Sequence, residues 1–565
     1  MAFAELLEQV GGMGRFQIIH TVLLTIPILL MASHNLLQNF TAAIPDHHCR
    51  IHINTNGSGY PNATHQLGAS DLLRLGIPLD GKQRLEKCRR FVDTQWHLLG
   101  RNTTAANMTQ MDTELCTDGW VYDHSVYTAT IITEWDLVCN LRKLREVAQS
   151  IYMAGVLFGA LVLGGLSDRF GRKALVLWSF LQMSVTGTCA AFSPNYISYC
   201  VFRFLSGMAL SGFGLSIACL IVEWIPTRYR TITIAMTGFS YTLGQILLAG
   251  LAYSIRDWRW LQLAVSAPFF LFLFYSWWFA ESARWLILAG KAGRAVKVLQ
   301  RVARVNGKEE AGSGITTEIL LSNMENELST IKSSYTISDL VRTPAIRHIF
   351  FCLSMVWFSV SFSYYGLAMD LQNFGVSIYL IQVIFGAVDF PAKVVVTITM
   401  SYIGRRFSLA SFLIVAGLVI IANIFVPTEL QTVRTALAVI GKGCLSAAFN
   451  CTFLFTTELY PTPIRQTGLG FGSTMARVGG IVAPLAKMLE DYYSVLPPVV
   501  YGVVPILSGI TACFLPETLN VALPDTIEEV ESRSRKKKEE ATAAAHEKIL
   551  LQSQEIEKAL FKEAC

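Results

Sequence analysis

Twelve apolar stretches, each long enough for a membrane helix, recur along this chain of 565 residues and limit what it can fold into. A helix crossing a bilayer needs about 20 predominantly apolar residues, and it satisfies its backbone hydrogen bonds within itself. Composition agrees, because 52% of the residues are hydrophobic and only 15% are charged. The sequence therefore predicts an all-α membrane protein with spans near 16–37, 146–166, 174–193, 197–222, 232–252, 259–280, 348–369, 376–398, 407–426, 434–456, 467–488 and 495–515.

Two long hydrophilic segments, after the first and sixth spans, divide the spans into two sets of six. Short loops with basic clusters follow only the even-numbered spans, so the positive-inside rule assigns that side to the cytoplasm. These clusters are Arg169, Arg172 and Lys173; Arg228 and Arg230; Arg405 and Arg406; and Arg465. The predicted regions are a cytoplasmic N-terminus (1–15), an N-terminal six-helix half (16–280) that includes an extracellular domain (38–145), a cytoplasmic central loop (281–347), a C-terminal six-helix half (348–515) and a cytoplasmic tail (516–565).

The predicted extracellular domain carries the marks of an oxidising, glycosylating compartment. Its four cysteines predict two disulfides, with all three pairings open. Asn-x-Ser/Thr sequons there predict glycosylation; of these, Asn39 lies closest to the membrane. The residues concerned are Cys49, Cys88, Cys116 and Cys139, and Asn39, Asn56, Asn62, Asn102 and Asn107.

Three motifs recur at offsets of 233 to 236 residues. Gly171-Arg172-Lys173 matches Gly404-Arg405-Arg406, the stretch from Glu223 to Arg230 matches that from Glu458 to Arg465, and Glu281 matches Glu517. Three matches at nearly one offset indicate a duplication. Two parallel six-helix halves related by a pseudo-two-fold axis are a transporter plan, with the substrate held between the halves.

The acids and bases of these motifs sit at helix ends on one predicted face. We expect them to form a charge network that closes the cytoplasmic side and opens when the network breaks. The alternative is that the basic residues only set the topology. The predicted gating residues are Asp168, Arg169, Arg172, Glu223, Arg230, Glu281, Arg405, Glu458, Arg465 and Glu517.

Several stretches resemble the major facilitator superfamily of transporters. Gly164-x-x-x-Asp168-Arg169-x-Gly171-Arg172-Lys173 resembles its loop motif, and Glu281-Ser-Ala-Arg284-Trp285 resembles its pattern after span six. Further stretches are similar to organic ion transporters and, more narrowly, to organic anion transporters: 118–123 (DGWVYD), 133–139 (TEWDLVC), 1–17 (MAFAELLEQVGGMGRFQ), 39–49 (NFTAAIPDHHC), 375–389 (GVSIYLIQVIFGAVD) and 472–477 (GSTMAR). The resemblance implies the twelve-helix major facilitator fold.

Arg477 is the only charge near the middle of the eleventh span. A charge at bilayer depth is costly and is a functional hypothesis by default, and a guanidinium can grip a carboxylate with two hydrogen bonds. The resembling anion transporters have an Arg at this position, whereas their cation-transporting relatives have an Asp. Arg477 is thus the predicted anion ligand, unless an acid on another helix pairs with it.

Other candidate binding residues are weaker. Lys393 follows Asp389 by four residues, so the acid could neutralise it and give the pair a structural role. Arg203 and Lys442 are interpreted as structural or snorkelling. The resemblance adds an aromatic cage and further lining residues: Tyr241, Trp357, Tyr364, Tyr365, Phe449, Met31, Asn35 and Ser473.

The chain is predicted to be a polyspecific organic anion transporter of the plasma membrane and not an enzyme. Residues 76–82 fit G-x-x-x-x-G-K, but Gln83 follows where Ser or Thr belongs, so no nucleotide site is expected. The resemblance implies exchange of outside aromatic carboxylates for intracellular dicarboxylate. It also allows a chloride ion, although no cofactor, metal or nucleic acid is expected. The alternatives are a cation or zwitterion transporter of the same fold, or a non-transporting membrane receptor.

The tail contains a basic run of Arg533, Arg535, Lys536, Lys537 and Lys538. Such a run could touch anionic lipid. The alternative is a solvated tail with a helical stretch near 539–563.

Overall fold

The structure is a computed structural model that describes residues 3–53, 67–99, 111–330 and 336–564. Twelve long helical stretches coincide with the twelve predicted spans. They are α1 (Arg15–Thr41), α2 (Cys139–Phe170), α3 (Arg172–Ala191), α4 (Tyr196–Trp224), α5 (Thr227–Ser254), α6 (Trp258–Trp278), α7 (Pro344–Ala368), α8 (Ile378–Tyr402), α9 (Arg405–Phe425), α10 (Gln431–Leu459), α11 (Arg465–Lys487) and α12 (Leu496–Ala512).

The first ten of these helices are long and apolar enough to cross a membrane by themselves. The helix α12 is apolar but has only 17 residues. The helix α11 is long enough, with 23 residues, but it carries Arg465, Arg477 and Lys487 and many glycines. A charge at membrane depth is tolerated where it faces other helices or a cavity. We therefore interpret α11 as a membrane span whose polar face is a candidate functional surface.

Shorter elements connect and flank the long helices. The shorter helices are Phe3–Gln9, Ala69–Gly76, Ile131–Trp135, Ala283–Leu288, Ala292–Val305, Glu309–Ser313, Thr317–Thr330 and Asp339–Arg342. A long tail helix, Ile527–Glu563, follows α12. Four short strands lie in the segment between α1 and α2: β1 (His47–Cys49), β2 (Arg89–Phe91), β3 (Thr113–Leu115) and β4 (Trp120–Tyr122). They form two antiparallel pairs, β1 with β4 and β2 with β3.

The chain divides into two compact units. The N-unit is Met13–Trp285 together with Met369–Val383, and the C-unit is Met1–Gly12, Leu286–Ala368 and Ile384–Cys565. Each unit thus contains most of one predicted set of six helices. The exception is Met369–Val383, the loop before α8 and the first residues of α8, which belongs to the N-unit.

Small residues allow the closest helix packing in the N-unit. Gly155 and Gly159 are one turn apart on α2, and a Cβ at either position would collide with the backbone of α4 at Phe204 or Met208. Helices in lipid associate through such close contacts, because lipid chains are as apolar as the side chains themselves. The spacing Gly155-x-x-x-Gly159 therefore sets the α2–α4 contact.

The C-unit has a comparable contact between α7 and α11. A Cβ at Gly472 would meet the indole of Trp357, and one at Gly479 would meet the backbone oxygen of Phe358. The core around this contact contains Trp357, Phe455 and Tyr460, all buried. This packing fixes α11, which carries Arg477, against α7, which carries most of the predicted aromatic residues.

Two disulfides cross-link the segment between α1 and α2, Cys49–Cys116 and Cys88–Cys139. The structure thus confirms two disulfides and selects one of the three pairings that the sequence left open. The guanidinium of Arg90 ties the same region together: it donates to Glu114 at 2.9 Å and to Asp118 at 2.8 Å. It also donates to the backbone oxygen of Arg50 at 2.8 Å.

The stretch Thr133–Cys139 attaches this segment to α6. Thr130 and Thr133 cap the helix Ile131–Trp135 with reciprocal hydrogen bonds. Glu134 accepts a 2.7 Å hydrogen bond from the Trp258 indole and pairs with Arg259. These contacts give the family-like motif a structural role.

The predicted glycosylation sites gain little from the structure. Asn56, Asn62, Asn102 and Asn107 lie outside the described residues. Asn39 lies in α1 with its side chain 1% exposed, so a glycan there would have to be accommodated by rearrangement. Glycosylation at all five sequons stays a prediction.

Candidate functional site

Arg477 lies at mid-length of α11 and is half-buried. Within the described part of the C-unit, no carboxylate forms an ion pair with its guanidinium. A neighbouring titratable side chain is Tyr365 of α7. The C-unit therefore offers a partly accessible cation without the acidic partner that the structural alternative requires.

Trp357 and Phe449 form an aromatic wall in the same unit. Trp357 is buried, and its indole donates a 3.0 Å hydrogen bond to Thr456 Oγ1. Its ring meets Phe449 edge to face at 5.7 Å, and Phe449 is 45% exposed. Trp357 is thus locked in place and positions the accessible ring of Phe449. Ser473 follows Gly472, which packs against Trp357, so Ser473 lies next to this contact.

Tyr364 and Tyr365 stand side by side on α7, with their rings edge to face at 5.3 Å. The ammonium of Lys442 lies 5.0 Å from the ring centroid of Tyr364, a distance at which a cation is attracted to the ring face. Tyr365 is a neighbour of Arg477. The two tyrosines therefore connect the Arg477 side of the unit with a second cation.

That second cation is part of a buried ion pair that the sequence did not predict. Lys442 Nζ donates to Asp389 Oδ1 at 2.9 Å and to the backbone oxygen of Phe385 at 2.9 Å. The sequence paired Asp389 with Lys393, which is half-buried one turn further along α8. Asp389 also hydrogen-bonds Lys442, because α10 packs against α8 and brings that ammonium to the carboxylate, and it attracts the Lys393 ammonium as well. The snorkelling interpretation of Lys442 is wrong, since the side chain is fully buried.

In the N-unit, Asn35 of α1 joins two tyrosines. Its amide donates to the hydroxyl of Tyr241 at 3.1 Å, and it accepts from the hydroxyl of Tyr152 at 2.9 Å. Tyr241 is half-buried, whereas Tyr152 is fully buried. Two predicted lining residues, Asn35 and Tyr241, are thus in direct contact. Met31, one turn before Asn35, lies beside Gly214 of α4.

Arg203 of α4 completes this N-unit cluster. Its guanidinium lies 4.0 Å above the Tyr152 ring and donates to the backbone oxygen of His34 at 3.4 Å. It is fully buried, so the structural interpretation is confirmed and the snorkelling one is wrong. A cation–π contact of this kind depends on which helices are neighbours, and nothing in the sequence around Arg203 reveals it.

The predicted gating residues form two similar networks, one in each unit. In the N-unit, Arg172 pairs with Asp168 at 2.9 Å and with Glu223 at 3.4 Å. Glu281 accepts hydrogen bonds from the backbone N–H groups of Arg172 and Lys173 at 3.1 and 3.2 Å. A carboxylate at a helix N-terminus is stabilised by the exposed N–H groups and the helix dipole, so Glu281 anchors the start of α3.

In the C-unit, Arg405 pairs with Glu458 at 3.2 Å. Glu517 accepts from the backbone N–H groups of Arg405 and Arg406 at 2.9 and 3.2 Å. One difference is that Ser401 stands where the repeat has Asp168. A second is that Thr518 donates to Glu458 at 2.5 Å. The repeated motifs therefore form the same kinds of ion pair and helix-capping hydrogen bonds in both units.

Gly171 and Gly404 explain the glycine in each repeat. Their φ angles are +100° and +113°, a region that favours glycine. A Cβ at either residue would also strike the carboxylate of Glu281 or Glu517. Each glycine thus leaves room for the acid that caps the next helix.

Three predicted gating residues lie outside these networks. Arg169 packs over the Phe170 ring at 5.4 Å. The Nε atoms of Arg230 and Arg465 are buried without a hydrogen-bond partner among the described residues. The sequence grouped both with the acids of their motifs, but Arg230 lies at the start of α5 and Arg465 at the start of α11, just after the turns that follow α4 and α10. Their gating role stays a prediction.

Comparison with known proteins identifies the family. Residues 102–530 match the family "Sugar (and other) transporter". The chain is 62% identical to solute carrier family 22 member 6-A of Xenopus laevis, over 96% of each chain. It is 52% identical to solute carrier family 22 member 20 of Mus musculus, over 98% of each.

A solved structure agrees at the level of the fold. The inward open conformation of a xylose transporter from E. coli superposes with a TM-score of 0.57 at 15% identity, covering 91% of this chain and 99% of that one. The twelve-helix major facilitator fold predicted from the sequence is thereby confirmed. The family resemblance is confirmed by the family match and the sequence relatives. The chain is a member of solute carrier family 22, within the sugar (and other) transporter family.

Proposed function

We propose that this protein carries small organic anions across the plasma membrane, taking up aromatic carboxylates in exchange for intracellular dicarboxylate. The observation that carries the proposal is Arg477, a half-buried guanidinium in α11 with no carboxylate partner in the described part of its own unit. Burying a cation at membrane depth costs several kcal/mol unless an opposite charge compensates it. A substrate carboxylate would supply that charge.

The chemistry around Arg477 fits an aromatic carboxylate. A guanidinium binds a carboxylate through two parallel hydrogen bonds. Tyr365 is a neighbour of the same guanidinium, and Phe449 presents an accessible ring. Aromatic side chains supply apolar area and, in tyrosine, a hydroxyl donor. Lys393, Trp357, Tyr364 and Ser473 of the C-unit and Tyr241, Asn35 and Met31 of the N-unit are the further proposed lining residues.

Membership of a transporter family supports transport over catalysis. No nucleotide is needed in the proposed cycle, since the dicarboxylate gradient drives uptake. The two networks around Arg172 and Arg405 would hold one end of each unit in a fixed shape and rearrange when the protein changes state. Arg477 is also the residue whose chemistry suits the chloride ion that the family resemblance allows.

The proposal is tested with proteoliposomes that contain the purified protein. Uptake of p-aminohippurate should rise severalfold when the vesicles are preloaded with a dicarboxylate such as glutarate, and uptake of tetraethylammonium should stay at background. Equal uptake with and without preloading would contradict exchange. Uptake of the cation instead of the anion would favour the alternative, a cation transporter of the same fold.

A further inference from the structure

A cavity of about 980 Å³ lies within the C-unit, away from Arg477. Four parts of the chain enclose it: the first turns of α7, the last turn of α10, the chain that follows α12, and the first half of the tail helix. Pro344 and His348 contribute from α7, and Phe514 and Pro516 from beyond α12. Since α7 begins and α12 ends at this cavity, it lies at one end of two membrane helices.

The tail helix turns one face to the cavity. Val530, Ser534, Lys538 and Ala541 line it at intervals of three or four residues, which is the spacing of one helix face. Arg535 and Lys537 also line the cavity, whereas Lys536 does not. The helix thus places most of the basic run on the side that lines the cavity and Lys536 on the side that does not.

The acids that line the cavity already have partners in the protein. Glu458 is bound by Arg405 and Thr518. Glu517 is bound by backbone N–H groups at the start of α9. Glu531 accepts a 3.0 Å hydrogen bond from the backbone of Ala345. None of the three therefore needs a cation from the tail.

The basic side chains that line the cavity are mostly unused. Arg533 pairs with Glu529 at 2.5 Å. Arg535, Lys537 and Lys538 form no ion pair with any residue that the structure describes, and each is exposed. Three cations that lack an ion pair in the described part of the chain therefore remain at the cavity, where each could bind an anionic group.

Part of the cavity lining is apolar and accessible. Phe514 is 68% exposed, and Val521 and Leu523 are about half exposed. These side chains line the same cavity as the three cations. A ligand that satisfies both walls has a negatively charged head and an apolar body, and membrane lipids with anionic heads are attracted to basic segments next to a span.

We propose that this cavity binds an anionic phospholipid from the adjoining leaflet, with its phosphate groups held by Arg535, Lys537 and Lys538 and its apolar part against Phe514, Val521 and Leu523. The tail helix would then pack on the lipid and stabilise the first turns of α7. The site is separate from the proposed transport site, so the inference does not depend on the proposed function.

The test measures binding of a fluorescent short-chain phosphatidylinositol bisphosphate to the purified full-length protein in detergent. The triple variant Arg535→Gln/Lys537→Gln/Lys538→Gln should bind about 100-fold more weakly, because each basic residue near an anionic lipid contributes roughly fivefold in affinity. The matched control is Lys536→Gln/Lys548→Gln/Lys558→Gln, which removes the same charge from the same helix outside the cavity. It should lose about fivefold at most.

Equal losses in the two triple variants would overturn the site, because bulk charge alone would then explain binding. Unchanged binding in the first variant would overturn it as well. In a second arm, soluble inositol trisphosphate should bind at least tenfold more weakly than the diacyl lipid. Equal affinity would contradict the proposal that the ligand is a lipid and would assign the cavity to a soluble organophosphate. Melting temperatures of all variants should match, which excludes unfolding as the cause.

Discussion

The ammonium of Lys442 and the carboxylate of Asp389 form a 2.9 Å ion pair between α10 and α8, with side-chain exposures of 0% and 6%. A buried pair of this kind stabilises little by itself, but the loss of one member leaves an uncompensated charge. The pair also positions Lys442 against the Tyr364 ring. The charge pair therefore links the geometry of α8, α10 and α7 in the C-unit.

Removing one partner of this pair should be more harmful than removing both. Asp389→Asn or Lys442→Met alone should destabilise the protein by about 3–5 kcal/mol. The double variant should recover part of that loss, since neither member of the pair is then left without the other, although Lys393 still loses the Asp389 carboxylate. Thermal unfolding of the purified variants in one detergent measures this; a double variant as unstable as the sum of the singles would contradict it.

The two helix-capping acids should contribute alike to stability. Glu281→Ala and Glu517→Ala each remove a carboxylate that accepts backbone hydrogen bonds at the start of α3 or α9, which should cost about 1.5–3 kcal/mol. Asp168→Ala is the control, because its side chain is 77% exposed and an exposed pair is worth about 0–1 kcal/mol. Unfolding temperatures should fall for both glutamate variants and barely change for the control. A loss confined to one unit would contradict the equivalence of the networks.

The sequence predicted much of this fold, and the reason is physical. Membrane spans are visible as apolar length, and the repeat is visible as three motifs at one offset. The network of Arg172 and Glu223 follows from that repeat, because the residues recur as a set. The pair between Lys442 and Asp389 could not be predicted, since it depends on which helices are neighbours. The sequence could name only Lys393 as a partner of Asp389, because Lys393 is its neighbour along the same helix.

The disulfide pairing is directly testable. Proteolysis without reduction should yield one peptide that links Cys49 to Cys116 and another that links Cys88 to Cys139, identified by mass spectrometry. Replacing both members of either pair by serine should destabilise the protein by about 2–5 kcal/mol. A linked peptide joining Cys49 to Cys88 or to Cys139 would contradict the pairing.

Acid should weaken the segment between α1 and α2 through Asp118. The hydrogen bond from Arg90 is the largest cause that holds the pKa of Asp118 below its ordinary value of 3.8. A carboxyl with a lowered folded-state pKa contributes stability that is present above the unfolded value and lost as the pH falls through the folded value. The loss should therefore begin below about pH 4.

The measurement is the hydrogen-exchange protection factor of backbone amides in the 111–123 region at pH 5 and at pH 3. Asp118→Asn should remove most of the difference in protection between the two pH values. Asp112→Asn, which changes an exposed acid of the same segment, should leave that difference unchanged. If Asp118→Asn keeps the full pH dependence, the Arg90 contact is not its source.

The central claim is that Arg477 binds the carboxylate of the substrate. Uptake of p-aminohippurate at equal surface expression should fall roughly 10- to 100-fold in Arg477→Gln, since a hydrogen bond to a charged group contributes about 1.5–3 kcal/mol. Arg477→Lys should keep part of the activity, and Lys487→Gln at the far end of α11 should keep nearly all. Undiminished uptake by Arg477→Gln would contradict the account.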